Sequence, residues 1–168
     1  GYADWKKNAS ENDKRAVTEI YIEEGVPVIP NLIFKDLPRV GSVTIPASVT
    51  MIGGAAFAGC SNLSSVVFAK DSELRTIGKY AFYETALESV VIPASVSAIR
   101  KAAFRYCYNL SSVIFAGNQK LKEIGEWAFC ETYLESVVIP ASVTTIGKAA
   151  FTECKRLSSV TFTGDMNL

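Results

Sequence analysis

The chain has 168 residues, 49% of them hydrophobic, with 17 Lys+Arg against 17 Asp+Glu and no histidine. That is enough length and apolar content for one packed core, and too apolar for a disordered chain. The zero net charge gives no drive toward nucleic acid or an anionic membrane, so no nucleic-acid partner is expected, and no apolar run reaches the ~18 residues of a spanning helix.

In chain order, residues 1–19 read as an N-terminal cap or linker segment. Their stretch DWKKNASENDKR mixes both charge signs. It offers a short helix, with Ser10 as N-cap and Asp13 three residues on. Residues 20–168 read as one solenoid. A degenerate first repeat occupies 20–41, where Ile20, Ile22, Val26, Ile29, Phe34 and Val40 fall on the columns of later copies. Pro30 and Leu37 break those columns, as a capping repeat would. Full copies follow at 42–64, 89–111 and 136–158, 23 residues each, separated by 65–88 and 112–135, 24 each. The true period is therefore 47, one short coil plus one long coil, and 159–168 is an incomplete last repeat. Repeats of this length mean a stack in which no unit buries its apolar face alone.

Each copy opens with Ser-Val-x-Ile or Ser-Val-x-Phe, whose alternation predicts a short strand. Pro46, Pro93 and Pro140 end it in the short coils, because proline has no N–H for a ladder. Ile146, Ala150 and Cys154 then sit four apart, with Phe151 beside them, which predicts about two helical turns. Stacking the copies predicts seven strands ~4.8 Å apart. It also predicts side-chain columns: Val43 to Val160, Ile45 to Phe162 with Ile and Phe alternating, Ile52 to Ile146, and Phe57 to Phe151.

The motif I-P-x-S-V-x-x-I-G-x-x-A-F-x-x-C-x-x-L stands at 45–63 and again at 139–157; at 92–110 Arg100 replaces the Gly. This pattern resembles the leucine-rich repeat family, in its BspA-like branch. The long coils depart from it at Ala69 and Ala116, where the motif has Pro, and at the Cys column. The resemblance implies an α/β solenoid: a right-handed superhelix with a parallel β-sheet on its concave face and short helical turns on its convex face. It also implies a non-catalytic binding protein, secreted or at a bacterial cell surface, acting in adhesion to a protein or host-surface ligand. No signal-peptide pattern is present in the sequence.

Cys60, Cys107 and Cys154 share one column in alternate coils, ~10 Å apart and beyond the ~7 Å reach of a disulfide. They and Cys130 read as buried free thiols. With no histidine, no CxxC, no nucleophile elbow and no phosphate loop, no catalytic residue, metal site or cofactor is expected. The repeated carboxylates Glu84, Glu88, Glu131, Glu135 and Glu153 leave a glycosidase as the remote catalytic alternative.

Two surfaces are candidates for recognition. Period two sends Thr44, Val67, Val91, Ile114, Val138 and Thr161 outward from the strands, flanked by Ser65, Ser89, Ser112 and Ser136. A secondary aromatic patch comprises Tyr83, Tyr106, Tyr108 and Tyr133, which suit stacking on a sugar or a partner protein. Tyr80 and Trp127 are read as filling space beside Ala55, Ala102 and Ala149. The strand that closes the sequence leaves the last coil uncapped, which suggests a structural repeat segment of a larger surface protein whose array continues or associates end to end.

Overall fold

A computed structural model describes residues 9–117 and 120–164. The expected N-terminal cap or linker segment, 1–19, and the incomplete last repeat, 159–168, lie in part outside the described residues. The one helix among the described residues, α1 (Glu11–Ala16), starts at a capping box. Asp13 N–H donates to Ser10 Oγ at 3.2 Å, and Ser10 N–H donates to Asp13 Oδ2 at 2.7 Å.

Each full coil after the first contributes two strands, and the incomplete last repeat contributes one among the described residues. The four-residue strands are β2 (Ser42–Ile45), β4 (Ser65–Phe68), β6 (Ser89–Ile92), β8 (Ser112–Phe115), β10 (Ser136–Ile139) and β12 (Ser159–Phe162). The two-residue strands are β1 (Val28–Ile29), β3 (Met51–Ile52), β5 (Thr76–Ile77), β7 (Ala98–Ile99), β9 (Glu123–Ile124) and β11 (Thr145–Ile146). All pairing is parallel and in register, with Val43 beside Val66 and Ile52 beside Ile77. The short strands form one continuous six-stranded sheet, β1-β3-β5-β7-β9-β11.

The third side of each coil corrects the expected helical turns. Residues 53–60 and their equivalents make successive i→i+3 turns, as in Ala56 N–H to Gly53 O (3.3 Å) and Cys60 N–H to Phe57 O (3.2 Å). The alternate N–H groups leave the coil altogether. Tyr80, Phe82 and Glu84 donate to Lys101, Ala103 and Arg105 of the next coil at 2.8–3.0 Å. A helix would spend those donors within its own segment. The geometry needs positive φ at the third residue of each turn, as in type II turns: 58° at Tyr80 and 55° at Glu84. Glycine at the head of the turn serves close approach instead, since a Cβ on Gly78 would lie 2.5 Å from the Ile52 carbonyl.

The Phe column forms as expected. Phe57, Phe82, Phe104 and Phe129 are fully buried, their rings stacked at 5.2–5.3 Å. The Ile/Phe column behaves differently from an interlocked one. Ile45, Ile92 and Ile139 are buried, but Phe68 and Phe115 are half-buried and Phe162 is 47% exposed.

Nor do the four-residue strands form one sheet. They pair as β2-β4, β6-β8 and β10-β12. One column explains this. Ala69, Ala116 and Thr163 donate their N–H back to Ile45, Ile92 and Ile139 at 3.0–3.1 Å. Pro46, Pro93 and Pro140 occupy the same column in the short coils and have nothing to donate. The ladder therefore fails on entering each short coil. The same missing donor, at Pro46, accompanies the absence of a strand at 20–22, so there are six long strands rather than seven.

Proline also marks the first coil of the continuous sheet. Thr50, Arg75, Ser97, Lys122 and Thr144 each donate to the coil before at 2.8–3.0 Å, as do Gly53, Gly78, Arg100, Gly125 and Gly147 at 2.7–2.9 Å. The equivalents in the first coil are Pro27 and Pro30. At the other end the last coil exposes Ile146, Val160 and Phe162 by 41–47%.

Removing one ring from the middle of the Phe stack should open a cavity that its in-register neighbours cannot fill. Phe104→Ala is expected to cost about 3–5 kcal/mol, and Phe151→Ala, half-buried in the last coil, distinctly less. Urea unfolding of the two variants checks both; equal losses contradict a core centred on the inner coils.

Candidate functional site

The strand face is built by the alternation of burial along each long strand. The first valine of each turns inward, from Val43 to Val137, all within 7% exposure. The next residue turns outward: Val67, Val91, Ile114 and Val138 are 51–55% exposed, with Thr44 and Thr161 exposed at the two ends. Ser89 and Ser136 are exposed beside them; Ser65 and Ser112 are half-buried. All ten predicted residues of this face therefore lie along the four-residue strands.

Two clefts interrupt the face where the proline column breaks the ladder. The first, about 530 Å³, lies between β4 and β6 against Val67, Phe68, Val91, Pro93 and Ala94. The second, about 450 Å³, lies between β8 and β10 against Ile114, Phe115, Val138, Pro140 and Ala141. Glu88 N–H still reaches Ser64 O at 3.2 Å and Glu135 N–H reaches Ser111 O at 3.4 Å, so each cleft is closed where its strands begin. The clefts were not anticipated from sequence, although the alternation of Pro with Ala in one column was their signal.

The aromatic patch lies on the turn side. Tyr83, Tyr106 and Tyr108 form a run, with ring centroids 5.2 and 5.8 Å apart. Tyr133 stands off this run. Its ring takes Arg156 at 4.8 Å, and it shares with Tyr108 a depression of about 120 Å³ rimmed by Glu131, Glu153 and Lys155. Much of the remaining aromatic surface is occupied from within. The Arg105 guanidinium lies 4.4 Å over Tyr106 and donates to its hydroxyl at 2.7 Å, and Lys101 lies 4.5 Å over Trp127. Burial, then the Glu84 carboxylate, pushes the Tyr83 phenol up to about 12. Tyr80 and Trp127 sit at the positive-φ position that Ala55, Ala102 and Ala149 hold in the short coils.

The carboxylates divide between two sides of the coil, with Glu131 and Glu153 together at the depression beside Tyr133. Glu131 pairs with Arg105 and Glu153 with Lys155, each at 3.8 Å, while Glu88 and Glu135 lie on the strand side. Among the described residues no three of His, Cys, Asp and Glu come together as a metal site, and no helix is long and apolar enough to cross a membrane.

The pattern that describes the BspA type leucine-rich repeat region matches residues 27–158 in six copies. Three solved structures are similar. The Treponema pallidum leucine-rich repeat protein TpLRR is 30% identical over 86% of this chain and 66% of its own, with a TM-score of 0.74. The pneumococcal vaccine antigen PcpA is 28% identical over 87% of this chain and 38% of its own, with a TM-score of 0.71. A leucine-rich cell surface protein of Faecalibacterium prausnitzii is 30% identical over 87% of this chain and 46% of its own, with a TM-score of 0.58. The chain thus spans between 38% and 66% of the length of these proteins. No curated protein matches it.

The thiol column has its own consequence. All four cysteines are free, and Cys60, Cys107 and Cys154 alternate with Thr85 and Thr132. Cys60 Sγ donates to Phe34 O at 3.0 Å and Cys107 Sγ to Phe82 O at 3.1 Å, while Thr85 Oγ1 donates to the same Phe82 carbonyl at 2.9 Å. Burial pushes the Cys60 and Cys107 thiols from their ordinary 9.0 up to about 11. The folded chain thus holds these protons more tightly than the unfolded chain. Their contribution to stability is full below pH 9 and is lost as the pH rises toward about 11. The urea midpoint of Cys60→Ala/Cys107→Ala is expected to fall less steeply than that of the parent over this range. Parallel slopes contradict the assignment.

Proposed function

The chain belongs to the BspA type leucine-rich repeat family, and from that premise we propose that it is a non-catalytic protein-interaction module whose recognition surface is the strand face. The observation that carries this reading is the row Val67, Val91, Ile114 and Val138, each about half exposed on four successive strands. Isolated exposed apolar residues are ordinary, but an apolar row aligned across four successive long strands is a contiguous patch of the kind that marks interaction sites. The aromatic patch is secondary, because Arg105 and Arg156 already cover the Tyr106 and Tyr133 rings in it. The proposed setting is the bacterial cell surface or its exterior, with a host-surface or other protein as ligand. The support is the F. prausnitzii relative, described as a cell surface protein.

A second reading, end-to-end association, draws on the exposed Ile146, Val160 and Phe162 of the last coil. Pro27 and Pro30 weigh against the head-to-tail form of it. They remove from the first coil the two donors that would reach the sheet of a copy stacked ahead of it.

Biolayer interferometry against a panel of host extracellular-matrix and cell-surface proteins tests the main reading. For any protein that binds, Val91→Lys/Val138→Lys is expected to weaken affinity about tenfold or more, at a cost of ~1.4 kcal/mol, and Tyr108→Ala/Tyr133→Ala to leave it near the parent value. An affinity untouched by the lysines excludes the strand face.

A further inference from the structure

The two clefts share their apolar positions, although Ser65, Ser72, Ser89, Ser95 and Lys70 also line the first. Val67, Val91 and Pro93 of the first stand 47 residues before Ile114, Val138 and Pro140 of the second. Each has an apolar lip on both sides and a half-buried phenylalanine, Phe68 or Phe115, in its wall. Each is also lined by strand backbone whose ladder is incomplete, because Pro93 and Pro140 cannot donate to the carbonyls of Phe68 and Phe115. A large apolar side chain is the occupant that fits such a wedge.

The spacing of the clefts selects the scaffold that carries two such side chains. Parallel strands lie about 4.8 Å apart, and the Phe rings of successive coils are 5.2–5.3 Å apart in the core, so the clefts, two coils apart, are separated by roughly 10 Å. An α-helix returns to the same face after seven residues with a rise of about 10.5 Å. A β-strand repeats on one face at about 6.8 Å and then at about 13.6 Å, and matches neither cleft pair nor coil. The helix also returns side chains every three or four residues, near the single-coil spacing, where Val91 and Ile114 lie between the clefts.

Charge follows the same period. In the column just before the long strands, Gly41, Ser64, Ser111 and Ser158 are uncharged, and Glu88 and Glu135 carry the negative charges. Both glutamates are exposed, neither is in an ion pair with a described residue, and each adjoins a strand that borders a cleft. Lys70 lines the first cleft without a counterpart at the second, where Gly117 lies. The repeated charge beside the clefts is therefore negative.

We infer that the clefts at Pro93 and Pro140 are paired anchor sites for one amphipathic α-helix of a partner protein, laid along the solenoid axis. Large apolar residues seven apart enter the clefts, and basic residues on one flank face Glu88 and Glu135. This rests on the strand face being the recognition surface and gives the chemistry of what it recognises.

The test uses two fluorescein-labelled peptides of identical leucine and lysine content, read by anisotropy. One places leucines at i, i+3, i+4 and i+7 through three heptads; the other alternates leucine with lysine as a strand would. The helical pattern is expected to bind at least tenfold more tightly, and Glu88→Gln/Glu135→Gln to weaken it several-fold at low salt. Equal or reversed affinities overturn the inference.

Two cleft variants separate it from the broader reading. Pro93→Ala/Pro140→Ala restores the donors, and slow exchange of the new amides reports closure. Ala94→Trp/Ala141→Trp fills the clefts whether or not they close. Both leave the valine row in place, and both are expected to cost the helical peptide tenfold or more. If neither does while Val91→Lys/Val138→Lys still abolishes binding, the clefts are not the anchors and the face remains the site. If the lysines also have no effect, the face itself is excluded.

Discussion

The fixed coil-to-coil register of the backbone is the constraint from which the rest of the structure follows. On the short-strand and turn sides, and on the long-strand side within each strand pair, N–H groups find their carbonyl in a neighbouring coil, and the column of side chains is held to that register. On the turn side this demands positive φ from residues such as Tyr80, Glu84, Tyr106 and Trp127, each a conformation of order 1–2 kcal/mol above the ordinary one. The inter-coil bonds and the buried Phe stack offset that cost. Shifting one coil by a residue would break both at once, so the ladder and the core enforce each other.

Much of this was legible in the sequence, because stacking writes the same residue into the same column. The Phe stack, the inward valines and the outward row of Val67, Val91, Ile114 and Val138 follow from periodicity and alternation. The turn side was not legible, for a physical reason. Ile146, Ala150 and Cys154 recur every four residues, and two successive type II turns produce that interval as well as a helix does. The usual marker of positive φ, glycine, is absent from most of these positions, where Ala, Tyr, Trp and Glu stand instead. The continuous sheet was hidden because its strands are two residues long, too short to show alternation.

The prolines were legible as residues and misjudged in consequence. Pro46, Pro93 and Pro140 end their strands, as expected. Their larger effect comes from the direction of hydrogen bonding. In this column the donor always belongs to the later coil, so a proline there severs its strand from the one before it. Alternating short and long coils thus divide the strand face into paired strands with a cleft between pairs, and a 47-residue period in sequence becomes a two-coil period in surface chemistry. Pro27 and Pro30 act by the same rule on the continuous sheet, where they silence the outer edge of the first coil. Removal of a backbone donor at chosen columns thus shapes both the strand face and the edge.

The register is most directly tested by scalar couplings across hydrogen bonds in a ¹⁵N,¹³C-labelled sample. The inter-coil ladder places the Phe82 amide on the Ala103 carbonyl and the Phe104 amide on the Ala128 carbonyl, each at 2.8 Å, and these two couplings should be observed. Couplings from the same amides to Gly78 and Arg100, four residues back in the chain, would mean a helical turn side and would contradict the account.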